Sequence, residues 1–156
     1  MMALKMCLDL YTRVSIKLSQ DQEMLKDTQK KAADASQGAT DAAVARGASV
    51  AARSDVPDGA GAFYPATVLS DVSADAPLLR QEIFGPVAPV VVVDDEAEAV
   101  RLANDTEYGL ISYVFGPEPA ASRVALRLES GMVAVNRGVV SDPAASFGGV
   151  KQSGLG

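Results

Sequence analysis

The chain has no histidine and no tryptophan, and its one cysteine is Cys7. Without histidine there is no imidazole general base, no Ser–His pair and no histidine-ligated metal. A single thiol rules out an intrachain disulfide and fits a reducing, cytoplasmic setting. Cys7 has only Lys5 and Arg13 near it in sequence, and sits in an apolar pattern. That context reads as a core residue, not an activated nucleophile. Positive charge is scarce as well: 14 Lys and Arg stand against 20 Asp and Glu, for a net charge of −6. Lys30–Lys31 is the only adjacent basic pair. Phosphate backbones are bound by clustered cations, so no nucleic-acid partner is expected. No apolar run is long enough to span a bilayer, and Lys5, Asp9 and Arg13 interrupt anything resembling a signal peptide, so no membrane partner is expected.

What remains is a chain of 156 residues, 48% hydrophobic. That suits one domain with a core of Val, Leu, Ile and Ala. Residues 2–18 are ambiguous. Apolar residues fall on even positions, as in a strand, yet Leu4, Leu8, Tyr11 and Leu18 also fit a helical face. Ser19-Gln20-Asp21-Gln22 has capping-box form, and Asp27 and Lys31 have the spacing of a helical surface pair. Residues 39–46 are helical in pattern, and Gly47 is placed to end that helix. Ala48–Ala52 and Ala66–Leu69 read as short strands, separated by a loop over 53–62 that contains Pro57, Gly59 and Gly61.

The second half is more regular. Val87–Val93 is apolar on both faces and predicts a buried parallel strand. Asp94 or Asp95 caps a helix running to Asn104, with Glu96 and Glu98 in its first turn where the helix dipole favours acids. Leu110–Phe115 predicts a strand, residues 116–119 a turn, and Ala120–Glu129 a helix with Val124 and Leu128 on one face. Gly131 ends it, and Met132–Asn136 is a further strand. Strand, helix, strand, helix, strand with short joins predicts an α/β fold with a βαβαβ parallel sheet.

Few motifs carry chemistry by themselves. Gly148-Gly149-Val150-Lys151-Gln152-Ser153 lacks the glycine spacing of a phosphate loop. The cluster Asp94, Asp95, Glu96 and Glu98 reads as helix capping and not as a metal site.

Several longer blocks occur together in order. They are Phe63-Tyr64-Pro65-Ala66-Thr67-Val68-Leu69, Glu82-Ile83-Phe84-Gly85-Pro86-Val87, Ala103-Asn104-Asp105-Thr106-Glu107-Tyr108-Gly109-Leu110, Gly131-Met132-Val133 and Phe147-Gly148-Gly149-Val150-Lys151-Gln152-Ser153-Gly154. In this order and spacing they resemble the late part of the catalytic domain of aldehyde dehydrogenases, closest to the succinate-semialdehyde branch. The resemblance starts near residue 39. It implies a partial aldehyde dehydrogenase catalytic domain over 39–156, with 1–38 an unassigned N-terminal segment. It also implies NAD or NADP as cofactor, a small aldehyde as substrate, and other aldehyde dehydrogenase subunits as possible partners.

Residue by residue, the resemblance makes Glu82 and Phe84 cofactor-binding: the glutamate takes the ribose hydroxyls and the phenylalanine packs beside the ribose and nicotinamide. Read without it, Glu82 is a surface residue before a turn and Phe84 a core aromatic. Asn136-Arg137-Gly138-Val139-Val140-Ser141 resembles the succinate-semialdehyde branch, where a serine here joins two earlier arginines in holding the substrate carboxylate. That makes Ser141 a substrate-binding residue; the plainer alternative is a loop serine capping Asp142-Pro143. Phe147 matches a phenylalanine of the aldehyde tunnel, or else packs in a core. Ser146 stands where a proline is usual. The family's cysteine nucleophile and glutamate base have no counterpart in the motifs present, so no catalytic residue is assigned and the chain alone is expected to be inactive.

Overall fold

The computed structural model describes residues 22–59, 61–142 and 144–155, with side chains from residue 27 onward. The segment 2–18, Cys7 and the capping box at 19–22 therefore fall largely or wholly outside the described residues. The chain divides into two compact units, meeting in sequence between Val91 and Val92.

The first unit opens with helix α1, Gln22–Ala45. The helical pattern expected over 39–46 is the last two turns of this longer element, which runs unbroken through residue 39. Its inward stripe is small: Ser36, Thr40 and Ala43 are buried. Gly47 ends the helix with φ 103°. The Gly47 N–H donates to Val44 O at 3.0 Å and the Ala48 N–H to Ala43 O at 3.0 Å. This is the Schellman pattern, in which glycine takes a left-handed conformation that a Cβ would strain. Ala43 and Ala48 close it with a buried contact in one core cluster.

Strand β1, Ser49–Arg53, pairs antiparallel with β2, Thr67–Ser70, and β2 pairs parallel with β3, Val87–Pro89. The order β1-β2-β3 makes β2 central. Its alternation is clean, with Thr67 and Leu69 inward and buried. Leu69, Val72, Ala76 and Leu78 form the core with Ala43 and Ala48, and Ile83, Val87 and Val91 pack against it. The run Val87–Val93 does pair in parallel, but only its first three residues form strand. Pro89 offers no N–H, the ladder closes with Val90 N–H to Leu69 O at 2.8 Å, and Val92 is 81% exposed.

In the second unit Asp95 caps helix α2, Glu96–Asn104, by accepting the Glu98 N–H at 2.8 Å. Then come β4, Tyr108–Gly109, β5, Ile111–Val114, helix α3, Glu118–Ala125, β6, Met132–Val135, and β7, Val150–Lys151. Helix α3 begins inside the expected turn. Pro119 belongs to its first turn, where a missing N–H costs nothing. It also ends earlier than Glu129, overwinding through Arg127 N–H to Val124 O at 2.9 Å and Leu128 N–H to Ala125 O at 3.3 Å. Val114, Ala121 and Val124 bury with Val100 in a second cluster, and Leu128 packs against it. β5 and β6 pair in parallel from Ile111↔Met132 to Val114↔Val135. The α/β class thus holds, with parallel ladders in both units. The expected continuous βαβαβ run is divided: its first strand is hydrogen-bonded to β2 and its last two to one another.

Candidate functional site

The segment between the 3-10 turn Pro77–Leu79 and β3 carries Glu82 and Phe84. It alternates like a strand without joining the sheet. Ile83 turns inward onto the core, while Glu82 is exposed and Phe84 is 65% exposed. Two tight bonds shape it, Gly85 N–H to Ile83 O and Val87 N–H to Gly85 O, both 2.9 Å. Thr67 N–H to Pro86 O, 2.8 Å, fastens it to β2.

Gly85 is needed here for space. A Cβ on it would overlap the Ser36 hydroxyl of α1. Ser36 is fully buried and satisfied by its bond to Ala32 O at 2.8 Å, so it has little room to yield. The glycine therefore seats the loop on the helix. The core-aromatic alternative for Phe84 is set aside by its exposure: Ile83 fills the core and Phe84 stands clear.

The candidate substrate residues lie in the other unit, on the loop leaving β6. Asn136 starts this loop at φ 53°. Its side chain accepts the Gly116 N–H at 2.9 Å and donates to Gly116 O at 3.0 Å. The turn that follows Ser141 is held by the residue after it. Asp142 does this itself, its Oδ1 accepting the Ala144 N–H at 2.9 Å and its carbonyl the Ala145 N–H at 3.0 Å. Ser141 is exposed, and Phe147 is 70% exposed and so outside any core.

Behind Phe147 three of the motif blocks converge, 103–110, 131–133 and 147–154. Gly131 meets the backbone of Gly148 and Gly149 so closely that no Cβ fits. Lys151, itself at φ 55°, spends its ammonium on three acceptors: Asn104 O at 2.7 Å, Thr106 O at 3.1 Å and Glu129 Oε2 at 2.8 Å. Asn104 in turn donates to Arg127 O and accepts the Glu129 N–H, each at 2.9 Å. The Gly109 N–H donates to Ser153 Oγ at 3.0 Å. This knot joins the ends of α2 and α3 to the last motif. Sequence reasoning missed it, because Lys151 and its partners lie far apart along the chain. The 3.6-residue and two-residue periods that betray helices and strands say nothing of such a contact.

Elsewhere a shallow groove of about 350 Å³ runs between α1 and the Pro77–Leu79 turn, lined by Ala35, Gly38, Ala39, Ala42, Pro77 and Gln81 among others. It adjoins the Glu82 loop only through Gln81 and offers no acid, base or nucleophile. No metal-binding group of acids or cysteine occurs among the described residues, and no described helix is long and apolar enough to cross a membrane.

An α/β arrangement with this Glu-Ile-Phe-Gly-Pro loop and this Gly-Gly-Val-Lys knot defines a class, and comparison with known proteins gives it a name. The model of the aldehyde dehydrogenase family matches residues 12–156. The chain belongs to the aldehyde dehydrogenase family. Within it, the chain is similar to a succinate-semialdehyde dehydrogenase of Paenarthrobacter nicotinovorans, 54% identical over 100 residues, 64% of this chain and 22% of that protein. Among solved structures it resembles the succinate-semialdehyde dehydrogenase of Burkholderia pseudomallei, with TM-score 0.73 and 42% identity over 81% of this chain and 26% of that one. It also resembles the succinic semialdehyde dehydrogenase of Streptococcus pyogenes solved in complex with NADP+, with TM-score 0.72 and 34% identity over 81% of this chain and 28% of that one. The chain spans about a quarter of the length of these relatives.

Proposed function

We propose that these residues form the nicotinamide-side and substrate-carboxylate part of an NAD- or NADP-dependent aldehyde dehydrogenase of the succinate-semialdehyde type. The observation that carries the reading is the Glu82–Phe84 loop. A carboxylate and an aromatic ring, neither used by the core, are offered outward from a backbone seated on α1 by Gly85. That fits a dinucleotide. Two carboxylate oxygens accept two ribose hydroxyls, and a fixed apolar wall orients a flat ring beside it. When bound, the nicotinamide supplies the acceptor for hydride. On the substrate side Ser141 donates its hydroxyl to the carboxylate of a small semialdehyde, and Phe147 walls the aldehyde chain. The reaction oxidises the aldehyde to a carboxylic acid once these parts act with the family's thiol and base. The 156 residues alone do not turn over, because binding groups without a nucleophile form no covalent intermediate.

A second reading, association with full-length dehydrogenase subunits, is favoured by β1. All five of its residues are exposed, and among the described residues it pairs only with β2. Edges of this kind invite pairing.

The test is a chimera in which residues 39–156 replace the matching segment of a full-length succinate-semialdehyde dehydrogenase. Turnover of succinate semialdehyde is expected to persist. Glu82→Gln should raise the KM for the dinucleotide about tenfold, as expected for lost hydrogen bonds to a charged group. Ser141→Ala should raise the KM for succinate semialdehyde and leave that for butanal unchanged. Equal effects on both aldehydes would remove the carboxylate role from Ser141.

A further inference from the structure

Five basic side chains lie between residues 92 and 155: Arg101, Arg123, Arg127, Arg137 and Lys151. Four are ion-paired: Arg101 with Glu98, Arg123 and Arg127 with Glu96, and Lys151 with Glu129. Arg137 makes no ion pair with any described residue, although the same stretch contains nine carboxylates. Asp142, close by in sequence, has turned its carboxylate to the Ala144 N–H instead. An exposed guanidinium kept out of an otherwise saturated pairing pattern is a cation available to something else.

Its position narrows what that is. Arg137 follows Asn136, whose two bonds to Gly116 fix the point where the loop leaves β6. β6 is one of two parallel strands, and open α/β sheets bind ligands beyond the carboxyl ends of such strands. None of the N–H groups of residues 137–141 donates to a backbone oxygen among the described residues. Among the described residues, the loop thus carries one cation with no ion pair, several N–H groups with no backbone acceptor and the Ser141 hydroxyl, which together suit an anion. A guanidinium presents two parallel donors that match the two oxygens of a carboxylate.

We propose that Arg137 is a further specificity-determining residue, whose guanidinium receives the distal carboxylate of the semialdehyde beside Ser141. This rests on the reading of the 137–141 loop as the substrate-carboxylate site. The assignment selects for a carboxylated aldehyde by charge as well as by hydrogen bonding, and a neutral aldehyde gains nothing from it.

Nitrogen-15 NMR on the full 156-residue chain tests it, with succinate and inorganic phosphate as probes at constant ionic strength. Succinate should move the amides of residues 137–142 saturably, and phosphate should move them less. Arg137→Ala should weaken the succinate response about tenfold or more, and Arg137→Lys should restore it only in part, since it keeps the charge but loses the fork. The dispersed spectrum of each variant reports its folding in the same experiment. The proposal is overturned if wild type shows no saturable shift, if Arg137→Ala responds like wild type, or if phosphate matches succinate, which would mark a general anion site. Ser141→Ala separates the two ideas. A response lost there but kept in Arg137→Ala removes Arg137 and leaves the serine. The reverse keeps Arg137 and removes the serine.

Discussion

At the scale of single residues, the most consequential contact is the one a glycine permits. Gly85 touches Ser36, and everything the Glu82–Phe84 loop presents depends on that approach. Gly85→Ala should destabilise the chain by about 1–3 kcal/mol, the usual cost of overpacking a fitted site. Ser36→Ala in the same chain removes the hydroxyl that the new Cβ would strike and should recover part of the loss. Urea denaturation of the two single variants and the double variant measures this coupling. Strict additivity would mean that the loop is not seated on Ser36. Much of this was hidden in the sequence. The motif showed that a glycine follows Phe84, but not that a helical serine 49 positions earlier was its reason. Glu82, Phe84, Ser141 and Phe147 were legible only by resemblance. The exposure of Phe84 and Phe147, which sets aside a packing role for those two, is a tertiary property that no local pattern encodes.

At the scale of elements, local chemistry was a good guide wherever the determinant was local. Gly47 ended α1 and Asp95 capped α2 as their residue types dictate. The β5–α3–β6 unit followed from its periodicity. Local reasoning erred where proline has two meanings. Pro117 and Pro119 read as a turn, yet they open α3; Pro89 sat in a strand-like run and closed the ladder. It was silent on Lys151, whose three acceptors come from two stretches far from it in sequence, 104–106 and Glu129. An ammonium has three donors, and here all three are taken at about one quarter side-chain exposure. Lys151→Met should therefore cost about 1–3 kcal/mol, because two backbone carbonyls lose a charged donor. Lys151→Arg should not rescue it, since a planar fork does not reproduce a tetrahedral donor set. Thermal unfolding followed by circular dichroism decides this; a fully stable arginine variant would show that charge alone suffices.

At the scale of the whole molecule, the distribution of aromatics is the telling feature. The chain has four phenylalanines, Phe63, Phe84, Phe115 and Phe147, and all four are exposed. The two cores are built instead from Ala, Val and Leu. The rings therefore add little to either core. The double variant Phe84→Ser, Phe147→Ser should leave the denaturation midpoint within about 0.5 kcal/mol of wild type, as for surface changes generally. It should reduce the binding of a hydrophobic fluorescent dye. A large loss of stability would mean that the rings support the fold after all.

A ring that supports none of its own fold can be exchanged without penalty to the scaffold. Position 147 therefore answers to the aldehyde and position 84 to the nicotinamide, while Gly85, Ser36 and Lys151 answer to the fold. Changes in which aldehyde is accepted would then accumulate at the loops, one tolerated replacement at a time, on a frame that registers none of them.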